Sequence, residues 1–178
     1  MFRRDLVISA AAVLCLAACS PPPEQSETRP PQAPAPIVIT CNALTPDTAR
    51  AVLVQEELAS TAAASDLRGG AITPGVYDLT QATRIGAATG WSGAQTVALE
   101  VTENEASGVT FNWASVTAQG EIDRWTAAFT ETPSPRIIYS CGRIGEVPIE
   151  FAARNRTLNL RIQDGANGQL ALVFERRV

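Results

Sequence analysis

This 178-residue chain has no histidine and no lysine; all 14 of its cationic side chains are arginines. Histidine is the side chain whose unperturbed pKa lies nearest neutrality, and it is the commonest metal ligand. Without it there is no Ser-His-Asp triad and no Cys-His nucleophile. Without lysine there is no Ser-Lys dyad and no Schiff base. The formal net charge is −4. Nucleic-acid binders neutralise phosphates with a basic face, so this balance argues against a nucleic-acid partner. It also offers no basic patch to anionic lipid headgroups. Aromatic residues make up only 6% of the chain, and three of them are tryptophans. No motif calls for a cofactor or a metal, and no catalytic residue is expected.

What is present begins at the N-terminus. Arg3 and Arg4 precede an apolar run from Leu6 to Ala18, interrupted only by Ser9. The run is shorter than the roughly 20 apolar residues that span a bilayer as a helix. Its charge, length and small-residue end are those of a secretory signal. Leu16-Ala17-Ala18-Cys19 closes it. This tetrapeptide is similar to the lipobox of bacterial lipoproteins. The resemblance implies cleavage between Ala18 and Cys19, a thioether-linked diacylglycerol on Cys19, and attachment to a membrane through that lipid. Cys15 is a poor competitor, because bulky Leu14 precedes it. Ser20 follows the cysteine where the enterobacterial sorting pattern has aspartate for inner-membrane retention, so the outer membrane, facing the periplasm, is the expected address.

Residues 21 to 36 are rich in proline, which fixes φ and removes the backbone donor. Such a run favours extended polyproline II at about 3.1 Å per residue, a reach of roughly 50 Å. The expected organisation is a signal peptide over 1–18, a lipidated cysteine with a tether over 19–36, a lead-in over 37–70 and a β domain over 71–178. Loss of Arg3, Arg4 and Asp5 with the signal leaves 12 basic and 17 acidic residues, a formal charge of −5. The two cysteines left after processing, Cys41 and Cys141, reach an oxidising compartment, and a disulfide between them is expected.

Within the lead-in, Thr45-Pro46-Asp47-Thr48 has the form of a helix start, with Thr45 as cap and Pro46 in the first turn. An amphipathic helix is predicted from Ala49 to Leu58, running toward Ala64, with Gly69-Gly70 as its stop. From Ile72 onward the apolar period is two. Val97, Leu99 and Val101 alternate with small or polar residues, as do Val109, Phe111 and Trp113, then Trp125, Ala127 and Phe129. Leu158, Leu160 and Ile162, then Leu170, Leu172 and Phe174, do the same. These are strands with one buried face, separated by turn signals such as Gln119-Gly120 and Asp164-Gly165-Ala166-Asn167-Gly168. With Tyr77 to Ile85, Arg136 to Cys141 and Val147 to Ala153, about eight strands are predicted. The expected fold is mainly β, an antiparallel meander closing into a small barrel or sandwich, preceded by a short helix.

Gly75-Val76-Tyr77-Asp78-Leu79 opens these strands, and the hairpin from Thr157 to Arg176 closes them. Over residues 70 to 178 the pattern resembles the lipocalin-like small barrels carried by many bacterial lipoproteins. The Gly-x-Trp of typical lipocalins is not at the first strand; Gly90-Trp91 lies after it. The likeness implies binding at the barrel mouth, or a packed structural module. A narrower stretch, Tyr139-Ser140-Cys141, Val147 to Phe151 and Thr157 to Leu160, looks like the opening strands of periplasmic C-type lysozyme inhibitors, whose second half has no counterpart here.

Few side chains suggest chemistry. Glu100, Glu103 and Glu105 form one acidic cluster, Glu121 and Asp123 another. A pair of carboxylates at the right separation can hydrolyse a glycoside, so a carboxylate-based hydrolase is one alternative. Clustered carboxylates beside turns are more often solvated. Asp164 to Gly168 lacks the ligand series of a calcium loop and reads as a turn. Trp91, Trp113 and Trp125 could each line a ligand pocket; Trp113 and Trp125 occupy apolar phases, where core packing is the expected role. Trp91, in the loop Gly90-Trp91-Ser92-Gly93, is the candidate ligand-binding residue. Arg154, Arg156 and Arg161 could bind an anion near one hairpin, and alternating arginine on a solvated face is equally expected. The expected function is that of a non-catalytic, lipid-anchored envelope lipoprotein, a binding or structural module for a small apolar ligand or an envelope protein. An inhibitor-like envelope protein is the other alternative.

Overall fold

A computed structural model describes residues 40–59, 67–105 and 108–178. The expected signal peptide, Cys19, the tether and the stretch from Ser60 to Ser65 lie outside the described residues. Among the described residues the sheet has ten strands. Two are short: β1 (Val52–Leu53) and β2 (Gln55–Glu57). Eight are long: β3 (Gly75–Gly86), β4 (Ala94–Asn104), β5 (Gly108–Thr117), β6 (Ile122–Thr130), β7 (Arg136–Cys141), β8 (Glu146–Arg154), β9 (Thr157–Gln163) and β10 (Gly168–Arg176).

The period-two alternation produces these eight strands and decides which face each buries. β3 to β10 pair antiparallel in chain order. β10 then returns to β3, from Gly168 opposite Gly86 to Arg176 opposite Tyr77. The eight long strands therefore form a closed ring, and the fold is a β-barrel rather than a sandwich. Closure removes the two edges that an open meander would expose. An eight-stranded barrel has an interior just wide enough for side chains to fill.

Two aromatic layers fill it. Phe111 and Phe129 stack with centroids 5.4 Å apart, and Phe151 meets Phe129 edge-on at 5.1 Å. Nearer the other end, Trp113 and Trp125 are direct cross-strand partners and stack at 5.0 Å with planes 12° apart. Phe174 meets Trp113 edge-on, and Tyr139 meets Trp125 edge-on.

The lead-in differs from its expectation. A 3-10 turn at Thr48–Arg50 replaces the predicted amphipathic helix, and its cap is Asp47, whose carboxylate accepts from Ala49 N at 3.1 Å. After it the chain is extended. β3 and β4 pair only where Gly75–Asp78 faces Val101–Ala98, then diverge. β1 adds antiparallel to β4, and β2 adds parallel to β3, so the lead-in occupies the divergence. Val52 and Val54 pack there against the core. Free backbone groups on two diverging strands offer partners that outweigh the modest helix propensity of this stretch.

Upstream of that turn the lead-in crosses the outer wall as a belt. Cys41 O accepts from Thr126 Oγ1, and Asn42 Nδ2 donates to the carbonyls of Trp113 and Trp125. Arg124 donates to Leu44 O. The second pass of the lead-in reaches β8, where Gly69 N donates to Phe151 O and Ala153 N to Gly69 O. Gly70 has φ +121°, and a Cβ there would strike the Ala153 carbonyl oxygen, so only glycine fits. Between this contact and Gly75 at the start of β3, Ile72 is buried in the core and plugs one end of the barrel. Asp78, nearly fully buried on the outer side of β3, is held by Arg177 in a two-pronged contact at 2.6 and 2.9 Å and by Arg50 at 3.3 Å.

Candidate functional site

The up-and-down order puts the β3–β4, β5–β6, β7–β8 and β9–β10 connections at the end opposite Ile72. A cavity of about 160 Å³ opens there. Its floor is Trp113, Trp125, Leu170 and Leu172, and its walls include Tyr139, Val147 and Ile162. Trp91, Arg143, Gln163 and Asp164 surround the mouth.

Each of these side chains has a local reason for its place. Trp113, Trp125, Leu170 and Leu172 face inward by the alternation of β5, β6 and β10. Tyr139 faces inward by the alternation that also buries Ile137, opposite inward-facing Ala127. The register of β6 against β7 slips between Thr126 and Ala127, so that Cys141 pairs with Thr126 while Tyr139 pairs with Ala127. Ser140 is the extra residue, its hydroxyl donating to Thr126 O. In a regular strand Tyr139 and Cys141 would share a face. The bulge leaves Tyr139 in the barrel and turns Cys141 out to the belt, where it bonds Cys41 across a Cα–Cα distance of 5.5 Å. The expected disulfide is thus present.

Arg143 sits in the tight β7–β8 turn. Gly142 before it has φ +80°, and a Cβ there would strike the Arg124 carbonyl oxygen. The Arg143 guanidinium lies 6.0 Å from the Trp125 ring centroid and 5.9 Å from that of Tyr139, within cation–π reach. It pairs with Asp123 at 2.5 Å. Burial alone would lower its pKa; the Asp123 carboxylate, with a smaller contribution from Tyr139, outweighs burial and raises it, so the group stays charged. Asp164 accepts from the backbone N–H groups of Thr89 and Gly90, both at 2.8 Å. That clamp fixes the loop carrying Trp91 over the mouth, where the Trp91 ring stands 5.7 Å from Trp113. Arg84 adds a second clamp, donating to Trp91 O at 2.8 Å. The indole N–H of Trp113 is buried with no hydrogen-bond partner among the described residues. Its nearest company is aromatic, which offers at most weak N–H···π contact.

The sequence candidates are distributed as follows. Trp91 stands at the cavity mouth. Trp113 and Trp125 are core residues and at the same time the cavity floor, so the expected core role and the pocket-lining alternative both hold. None of Glu100, Glu103, Glu105, Glu121 and Asp123 lines the cavity. Glu100 accepts from Asn112 on the outer wall, and Asp123 is engaged by Arg143. Arg156 donates to Arg176 O, and Arg161 pairs with Glu150. Sequence reasoning missed Tyr139, Arg143 and the clamping role of Asp164. The available signal for Arg143 was its position between Gly142 and Gly145, both glycines of a strand-to-strand turn.

No protein-family model and no curated protein sequence matches the chain. Among solved structures, a de novo designed fluorescence-activating β-barrel is similar over 59% of this chain and 94% of its own, at 12% identity and a TM-score of 0.41.

Proposed function

We propose that the protein is a lipid-anchored lipoprotein of the bacterial cell envelope. In this reading it is cut before Cys19, and its barrel is a non-catalytic module that binds a small ring-shaped ligand at the mouth. The observation that carries the binding reading is the asymmetry of the barrel. One end is plugged by Ile72, and the other holds a cavity of about 160 Å³ walled by Trp91, Trp113, Trp125 and Tyr139. A volume near 150 Å³ takes a single six-membered ring. It is too small for an extended acyl chain, so the ligand is compact and planar rather than a long lipid tail. Aromatic faces supply stacking area, and Arg143, Gln163 and Asp164 supply polar contacts at the rim. The anchoring half of the reading rests on Arg3-Arg4, the short apolar run and Leu16-Ala17-Ala18-Cys19.

Native mass spectrometry of the protein purified from bacterial envelopes tests both halves. A mass increment of a diacylglycerol and an acyl chain on a peptide beginning at Cys19 supports the anchor, and an unmodified Met1 removes it. A co-purified single-ring compound supports the binding module. If none is retained, tryptophan fluorescence is followed during titration with single-ring compounds such as indole and phenol. An emission unaltered by any of them, in the native protein and in Trp91→Ala alike, removes the mouth as a binding site.

A further inference from the structure

We infer that the mouth end of the barrel docks onto the lipid bilayer that carries the anchor, so that the cavity opens toward the membrane. This rests on the lipoprotein reading above.

The observation is where the exposed apolar side chains lie. Ile144, at the tip of the β7–β8 turn, is 99% exposed. Ile122 opens β6 and is 62% exposed. Leu53, opposite the first residue of β4, is 63% exposed, and Leu58, just beyond β2, is 71% exposed. All four are at the mouth end; of the other two large apolar side chains exposed among the described residues, Ile138 lies on the wall of β7, and Val178 is the last residue of the chain, just beyond β10 at the plugged end. Exposed apolar residues scattered singly are ordinary. Four grouped around one opening form the kind of surface that marks an interaction site. The described connections at the plugged end are polar by contrast: Glu131 to Pro135, and Asn155-Arg156.

The occupant follows from where the chain enters. Cys41 is bonded to Cys141, the last residue of β7 and the neighbour of the turn that carries Ile144. The segment arriving from Cys19 therefore joins the barrel at the corner of the mouth, 22 residues after the anchor. Held by its lipid, the rim meets the bilayer at an effective concentration on the order of millimolar, and a contact too weak to recruit a free protein is enough to orient a tethered one. Charge does not drive the contact, since Glu121 beside Ile122 is exposed and acidic. At the rim Arg143 is paired with Asp123 and Arg84 with Glu56. The attraction is apolar and is insensitive to salt, unlike a polybasic patch.

The test is amide hydrogen exchange on the full mature protein, reconstituted in vesicles of phosphatidylethanolamine with a minor fraction of phosphatidylglycerol and compared with the same protein in detergent. Exchange at Ala118–Ile122 and Gly142–Glu146 is expected to slow about tenfold in vesicles, with no change at Glu131–Pro135 or Asn155–Arg156. Ile144→Glu is expected to abolish the protection, and Ile138→Glu, on the wall of β7, to leave it. Both sites are exposed, and retained circular dichroism shows that either variant folds. An acylated protein with an unprotected rim, or with protection at the plugged end, overturns docking alone. A chain whose intact mass shows no acyl group overturns the anchoring reading and this inference with it. Rim protection that appears in detergent and grows with protein concentration assigns the surface to a second copy and likewise overturns it.

Discussion

The two ends of the barrel are built from the same strands and do opposite things. At one end Phe111, Phe129 and Phe151 interlock and Ile72 closes the bore. At the other, Trp113, Trp125 and Tyr139 line an open cavity of about 160 Å³. Each layer is an aromatic cluster in the inward phase of neighbouring strands, and its local sequence looks alike. The difference comes from what crosses the opening. A buried isoleucine on the second pass of the lead-in fills the first. A loop pinned by Asp164 and Arg84 only overhangs the second. Packing density, and with it the division between stability and binding, is decided by the connections and not by the strands.

Four measurements sharpen or break this contrast. The largest effect is expected at the disulfide, which fastens the belt beside the mouth. Cys41→Ser with Cys141→Ser opens a loop of 100 residues and should lower unfolding free energy by roughly 4.7 kcal/mol, read from denaturant midpoints. Next comes a paired truncation. Phe111→Ala in the plugged layer should cost about 3–5 kcal/mol, while Trp91→Ala, which removes a ring half-buried against Trp113 at the mouth, should cost about 1–2 kcal/mol and also lose the response to single-ring compounds. Equal destabilisation by the two would refute the functional division of the ends. Third, Asp78→Ala removes the acceptor shared by Arg177 and Arg50. About 1.5–3 kcal/mol is expected, moderated because both arginines keep access to water. Circular dichroism melts of that variant should show a lower midpoint with an unchanged ligand response.

The smallest effect concerns Tyr77, near the plugged end, whose hydroxyl donates to Thr73 O at 2.6 Å. Burial raises its pKa above the ordinary 10.0, and nearby Arg176 offsets this only in part. A raised folded-state pKa favours the protonated form in the native state. The stability it contributes is complete below pH 10, and it fades as pH rises from there through the native value. Tyr77→Phe should cost about 1 kcal/mol at neutral pH and flatten the decline above pH 10. An identical decline in both proteins would assign it to other groups.

The eight barrel strands were legible because period-two alternation is a local property, and each is long enough to show it. The partners of the first and last strands were not, since nothing in Tyr77 or Arg176 announces that they face one another. The same limit hid the sorting of Tyr139 and Cys141, which depends on a one-residue bulge against β6. The lead-in was misread for a related reason. Ala49 to Leu58 has helix formers, and the extended state wins only because β3 and β4 diverge and leave backbone groups to be met. At the site, Trp91 was found from its loop context. Arg143 and Asp164 were passed over because a turn residue's second role depends on which neighbouring turn lies within reach.

The meeting of β3 with β10 sets the order of events in assembly. Asp78 and Arg177 are 99 residues apart, and every ring-closing pair spans a comparable distance. Neighbouring hairpins form early, as local contacts do, but the bore stays open along one seam until the last strand arrives. A chain made from its N-terminus therefore carries β3 with the edge that β10 will cover left open until the last strand is complete, while β4 and β2 hold its other edge, and in that interval the open edge is exposed to wrong partners. Rescue of a slow-closing variant is a matter of shielding one strand for a limited time, not of adding stability to the finished barrel.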